Sequence, residues 1–184
     1  MTSPRVTICG VLDRVWSPAQ LAEIDHVFFS SSATQEFASP AERAVFRERW
    51  LGRYLSGDAA HAFVAMGAGD RIVGYVVGTI EDPARDPRFA DISTTRAFAA
   101  ASSRYPAHLH INVAQEMRGR GLGAQLIEAF AAHASTCSAA GLHVITNAAS
   151  RNVRFYKRCG FDEIDRVTIG ANEIVFLGRA LLRV

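Results

Sequence analysis

Apolar positions recur along the chain in two rhythms, one near two residues and one near 3.6, and their order predicts the elements. Val6, Ile8 and Val11 mark a first strand within Arg5 to Leu12. Ser17-Pro18 is a helix start, and Leu21, Ile24, Val27 and Phe28 follow at helical spacing. A second helix begins at Ser39-Pro40, where Ser39 can cap the first amides and Glu42 can cap back. Its stripe is Val45, Phe46, Trp50 and Tyr54, and Gly57 ends it. Ala62 to Met66 and Ile72 to Ile80 read as a strand pair around a Gly67 to Asp70 turn.

Asp82 to Pro106 breaks this rhythm with Pro83, Pro87 and Pro106, and reads as an excursion holding a short helix around Phe98. Leu109, Ile111 and Val113 then alternate with His108, His110 and Asn112, a strand with two distinct faces. After a Gly-rich turn, Leu122, Leu126, Phe130 and Ala134 recur every four residues on one helix face. Leu142 to Thr146 is a strand, Asn152 to Cys159 a short helix stopped by Gly160, and the rest a closing strand pair. The order predicts an α/β (α+β mixed) fold.

Bulk properties narrow the classes. A length of 184 residues favours one domain over 1–184. The formal charge of +2, with scattered arginines, gives no reason to expect nucleic acid. Cys9, Cys137 and Cys159 are odd in number, and neither they nor the six histidines have metal-ligand spacing, so the expectation is no metal and free thiols. No apolar run approaches the ~18 residues of a membrane helix, and Met1 to Asp13 lacks the layout of a signal peptide. A cytoplasmic protein that does not engage a membrane is the expectation.

The chemistry concentrates at Arg118-Gly119-Arg120-Gly121-Leu122-Gly123, between a strand and an amphipathic helix. A helix start leaves backbone N–H groups unpaired and carries partial positive charge. Glycines let that backbone approach an anion closely, and arginines can fork onto phosphate oxygens. Three glycines and two arginines exceed what a turn requires. Gly119-x-Gly121-x-x-Ala124 also fits a dinucleotide fingerprint, but no Asp or Glu lies from Ala129 to Phe161 to hold a ribose. No Gly-Lys-Ser/Thr is present for a Walker loop.

Arg118-x-x-Gly121-x-Gly123 resembles the Q/R-x-x-G-x-G/A signature of the GNAT superfamily of acyl-CoA N-acyltransferases. Asn152-Val153-Arg154-Phe155-Tyr156-Lys157-Arg158-Cys159-Gly160-Phe161 resembles that family's N-x-x-F-Y-x-x-x-G-F block, in the correct order and spacing. The resemblance implies a mostly antiparallel sheet of six to seven strands with a central splay, flanked by about four helices. It implies acetyl-CoA as acyl donor. Backbone groups of Ile111, Asn112 and Val113 would line the pantetheine arm. The amides from Arg118 through Gly119, Arg120, Gly121, Leu122 and Gly123 to Ala124 would hold the pyrophosphate.

Tyr156 matches the family tyrosine that commonly protonates the departing thiolate, though it can also be read as an aromatic packed beside Phe155. Asn152 matches an asparagine of one family variant, or caps its own helix. Many members place an asparagine where this chain has Ala149, and Asn147 cannot be assumed to replace it. The family's usual carboxylate base is missing from the strand before the loop, which offers His110 and His108 instead, with Glu81 and Asp82 ranked lower. For each histidine the bland reading, a hydrogen-bonded structural residue or a surface one, outweighs that role.

Relative to the family, about 82–107 is an insertion, read as a lid, a subunit contact or decoration, from which Phe89, Asp91, Arg96, Phe98 and Tyr105 could face an acceptor. The helices from Ser17 to Leu55, with Glu23, Asp25, Glu36 and Glu42, would form the other wall of the acceptor cleft. The implied reaction moves an acetyl group directly to a primary amine of a small molecule or peptide. The alternative is a non-catalytic CoA-binding sensor or regulatory module. Dimers are common in the family, which leaves room for a homodimer.

Overall fold

In the computed structural model, which describes residues 6–182, the strands are β1 (Thr7–Gly10), β2 (Phe63–Met66), β3 (Ile72–Thr79), β4 (Ala107–Val113), β5 (Gly141–Asn147), β6 (Asp162–Ile169) and β7 (Asn172–Ala180). The helices are α1 (Pro18–Ser31), α2 (Pro40–Arg47), α3 (Arg53–Gly57), α4 (Ser93–Ala97), α5 (Ala99–Ser102), α6 (Leu122–Thr136) and α7 (Asn152–Arg158). Arg5, read as the start of the first strand, lies outside the described residues.

The strands form one seven-stranded sheet in the order β1-β2-β3-β4-β5-β7-β6. β1–β2, β2–β3, β5–β7 and β6–β7 are antiparallel, and β4–β5 is parallel. The β4–β5 ladder holds two pairs, Ala107↔Leu142 and His108↔His143. The chain divides into two compact units, one reaching to Gly78 and including His110–Phe130, the other comprising Thr79–Leu109 and the chain from Ala131.

In the first unit, Ser17 caps α1, with Gln20 capping back and Pro18 inside the first turn. Ile24, Val27 and Phe28 are buried, whereas Leu21, expected on the same stripe, stays exposed. Ser39 caps α2 through the Glu42 amide, and the Glu42 carboxylate accepts from Ala38 N–H instead of Ser39. The second helix is not a uniform α-helix. Glu48–Gly52 forms a π turn between α2 and α3. This wider i→i+5 turn shifts the phase of the stripe, so Val45 faces solvent while Leu51 and Tyr54 are fully buried. A π turn has no sequence signal comparable to a cap, and an expectation built on a constant 3.6 period misplaces Val45.

The second unit corrects the reading of the excursion. Phe89 and Phe98 are buried side chains, so neither faces an acceptor. Phe98 and Ala101 pack on Phe176 of β7, joined by Tyr105, Ile145 and Ile164. The Tyr105 ring lies so close over Gly141 and Gly178 that a Cβ at either would come within 3.0 Å of it. Those glycines admit the ring. The excursion therefore contributes Phe98 and Ala101 to this unit's core. Asp91 and Arg96 are exposed.

Candidate functional site

The Gly-rich segment leads from the end of β4 into α6 through a short 3-10 turn, Gln115–Met117. Gly119 has φ 74° and Gly121 φ 79°, and a Cβ on either would meet nothing within 4 Å. Backbone conformation, not crowding, requires glycine at both positions. The space above them is open. Gln125 N–H donates to Gly121 O as the first bond of the helix. The amides of Leu122, Gly123 and Ala124 thus belong to the first turn, whose donors have no partner within the helix. Leu122, Leu126, Phe130 and Ala134 are all buried, as their spacing predicts, and anchor the helix behind this turn.

The two arginines are placed differently. Arg118 Nε donates to Val113 O at 3.0 Å and its Nη2 to Ser31 Oγ at 3.0 Å. Its guanidinium therefore ties the loop to the end of β4 and to the end of α1. Arg120 is exposed on the loop. Ala114 N–H donates to Val73 O at 2.9 Å, fixing the chain just before the turn.

The polar side chains of β4 do not share one environment. The expected two-faced strand is absent: Ala107, His108 and Leu109 are all buried, and His110 to Val113 are all half-exposed. His108, 5% exposed, lies with its ring 4.8 Å from that of His143. His143 is fully buried, stacks on Phe176 at 4.6 Å and donates from Nδ1 to Tyr105 O at 2.5 Å. Burial lowers its pKa to about 4, against smaller upward effects of that hydrogen bond and of Asp82. Its Nε2 has no hydrogen-bond partner among the described residues.

His110 sits instead in an aromatic setting, its Nε2 3.0 Å from Tyr54 Oη. The rings of Trp50 and Tyr54 both approach it edge-on at 5.3 Å. Two residues on, Asn112 Nδ2 donates to Tyr75 Oη at 2.7 Å. Burial raises the Tyr75 phenol pKa well above its ordinary value, so it stays neutral. The helix acids serve the fold. Glu23 accepts from Ile72 N–H and pairs with Arg71, and Asp25 pairs with Arg47. Glu36 is exposed.

In the second unit, Tyr156 is 8% exposed, between the rings of Phe155 and Phe161. Burial, and to a lesser degree the Cys159 thiol, pushes its pKa far up, so the phenol keeps its proton at any ordinary pH. Asn152 is the first residue of α7 and does not cap it; its own N–H donates to Ser150 Oγ at 3.2 Å. Asn147 accepts from Ala149 N–H and donates to Asn172 Oδ1, which occupies it in a turn. Asp82 is nearly buried and accepts from Ala84 N–H, while Glu81 is exposed.

No helix among the described residues is long and apolar enough to cross a membrane. The model of the acetyltransferase (GNAT) family matches residues 20–161. A search of curated protein sequences returns no match. Among solved structures, one named SsHAT superposes with a TM-score of 0.71 at 23% identity, covering 97% of this chain and 98% of its own. An agmatine N-acetyltransferase in its apo form gives 0.66 at 16% identity, covering 96% and 99%. An N-acetyltransferase from Staphylococcus aureus Mu50 gives 0.63 at 14% identity, covering 97% and 99%. At such identities these likenesses establish the fold.

Proposed function

We propose, from the premise that the chain belongs to the GNAT acetyltransferase family, that it transfers an acetyl group from acetyl-CoA directly to a primary amine. The observation that carries this reading is the pair of positive-φ glycines, Gly119 and Gly121, opening an exposed loop onto the first turn of α6. The loop amides through Ala124 hold the pyrophosphate, and the exposed Arg120 adds charge. Arg118 holds the loop in place through Val113 and Ser31. The β4 backbone from Ile111 to Val113 lines the pantetheine arm.

The donor supplies a thioester carbonyl; the chain supplies positioning and proton transfer. His110, half-exposed on β4, takes a proton from the acceptor ammonium and leaves a nucleophilic amine. Backbone N–H near Val113 polarises the carbonyl. As the new C–N bond forms and the C–S bond breaks, Tyr156 gives its proton to the departing sulfur, and the second proton of the amine nitrogen is lost to solvent, from which the tyrosinate regains its own. Burial keeps the phenol neutral, so its proton is in place when the thiolate leaves. His108, shut in against His143, is set aside as a base in favour of His110.

Release of free thiol from acetyl-CoA, measured against a panel of small amines and N-terminal peptides, tests the reaction. Amine-dependent thiol release supports it. Acetyl-CoA binding with no thiol release for any amine class would leave a CoA-binding module in its place.

A further inference from the structure

We infer that His133 and Cys137, at the end of α6, form a binding site for a zinc-like divalent cation. The site is separate from the acetyl-transfer chemistry and does not depend on it.

Both residues belong to one unit. His133 is half-exposed and Cys137 is exposed. The sequence has no His-His or Cys-Cys pair at ligand spacing; this pair is mixed, with three residues between. Cys137 follows the last residue of α6, yet its N–H still donates to His133 O at 3.1 Å, so the two keep helical spacing and share a face. The helix end is held in place. Thr136 Oγ1 donates to His133 O at 2.7 Å, and Ala139 N–H donates to Ala134 O at 3.0 Å. Ser138, with φ 62°, turns the chain off the helix in the left-handed conformation of a helix end. The two side chains therefore leave a fixed backbone one turn apart.

Cys137 Sγ lies 3.7 Å from His133 Nε2. In a tetrahedral zinc site the bonds are about 2.3 Å to sulfur and about 2.0–2.1 Å to nitrogen, which puts those two atoms about 3.6 Å apart. The pair already has the separation of one tetrahedral edge. A cation can take both atoms with little side-chain movement, whichever of them holds the proton of their contact beforehand. Thiolate and imidazole together suit zinc and its transition-metal neighbours, whereas magnesium and calcium take oxygen. Two protein ligands leave the remaining positions to water, and the exposure of Cys137 gives the cation a way in. Binding exchanges a proton for the metal: the thiol proton goes to solvent, sulfur and nitrogen each donate an electron pair, and nothing is oxidised or reduced. The loaded site links the two ends of the last turn of α6 and covers the thiol.

The test is titration of the wild type, Cys137→Ser and His133→Gln with cobalt(II), a spectroscopic stand-in for zinc. Neither side chain is buried, so both variants should fold, and thermal unfolding without metal checks this. The expected result is a saturable thiolate-to-cobalt charge-transfer band in the wild type, displaced by zinc. The band should be absent in Cys137→Ser, and cobalt affinity should fall about tenfold or more in His133→Gln. Zinc should also slow alkylation of Cys137 by iodoacetamide, followed by peptide mass mapping, in the wild type and not in His133→Gln. A band that survives in Cys137→Ser assigns the metal to Cys9 or Cys159 and overturns the inference. Equal affinity in His133→Gln reduces the site to a single thiol and overturns it as well. So does a wild type that shows no band at millimolar cobalt.

Discussion

Arg118 Nε lies 3.0 Å from the carbonyl oxygen of Val113, and the same guanidinium reaches Ser31 Oγ at 3.0 Å. The first arginine of the Gly-rich loop is thus committed to holding the loop, while Arg120 is the exposed one. The two should fail differently. On the proposed reading Arg120→Ala removes a charge that faces phosphate, so its acetyl-CoA affinity should fall about tenfold at low salt, and the deficit should shrink as salt screens the wild type. Arg118→Ala releases the loop, and its deficit should persist at high salt. Titration of acetyl-CoA at two ionic strengths separates them.

Tyr156 is buried with its proton held. Tyr156→Phe should keep acetyl-CoA affinity within twofold and lower kcat at least tenfold. Equal kcat in the two proteins would assign Tyr156 to packing beside Phe155 and Phe161.

His143 makes stability depend on pH. Its pKa is lowered from 6.5 to about 4 in the folded protein. Between those values the unfolded chain binds a proton that the folded chain does not, so stability falls as pH drops from 6.5 toward 4. The full effect approaches about 3 kcal/mol. His143→Phe should lower stability near neutrality by losing the bond to Tyr105 O, yet flatten the acid slope across that window. Urea unfolding at a series of pH values measures both.

Phe98 belongs to a core with Phe176 and Tyr105. Phe98→Ala should cost about 3–5 kcal/mol by leaving a cavity. Chemical denaturation checks the value, and a loss under 1 kcal/mol would mean that the excursion is decoration.

The elements that the sequence made legible are those whose local rules agree with their surroundings. Ser17 and Ser39 cap where their residue types predict, and the four-residue spacing from Leu122 to Ala134 buries every member. The loop was legible because glycine at a positive φ is a backbone requirement written in one residue. What escaped was set by tertiary contact. His108 looked like part of a polar face and is buried beside His143. Phe98 was among the residues that could face an acceptor and is core, because its partner Phe176 lies far along the chain. The bond between Tyr54 and His110 joins residues 56 apart, across a π turn that no local pattern marks.

The most direct test of the central claim is calorimetric titration of acetyl-CoA into the wild type and into Gly121→Glu. A Cβ at this position meets nothing within 4 Å, so the variant should fold, at a backbone cost of about 1–2 kcal/mol. The account predicts saturable binding to the wild type and at least tenfold weaker binding to the folded variant. Absence of binding to the wild type at millimolar acetyl-CoA, or equal affinity in the two proteins, would contradict it.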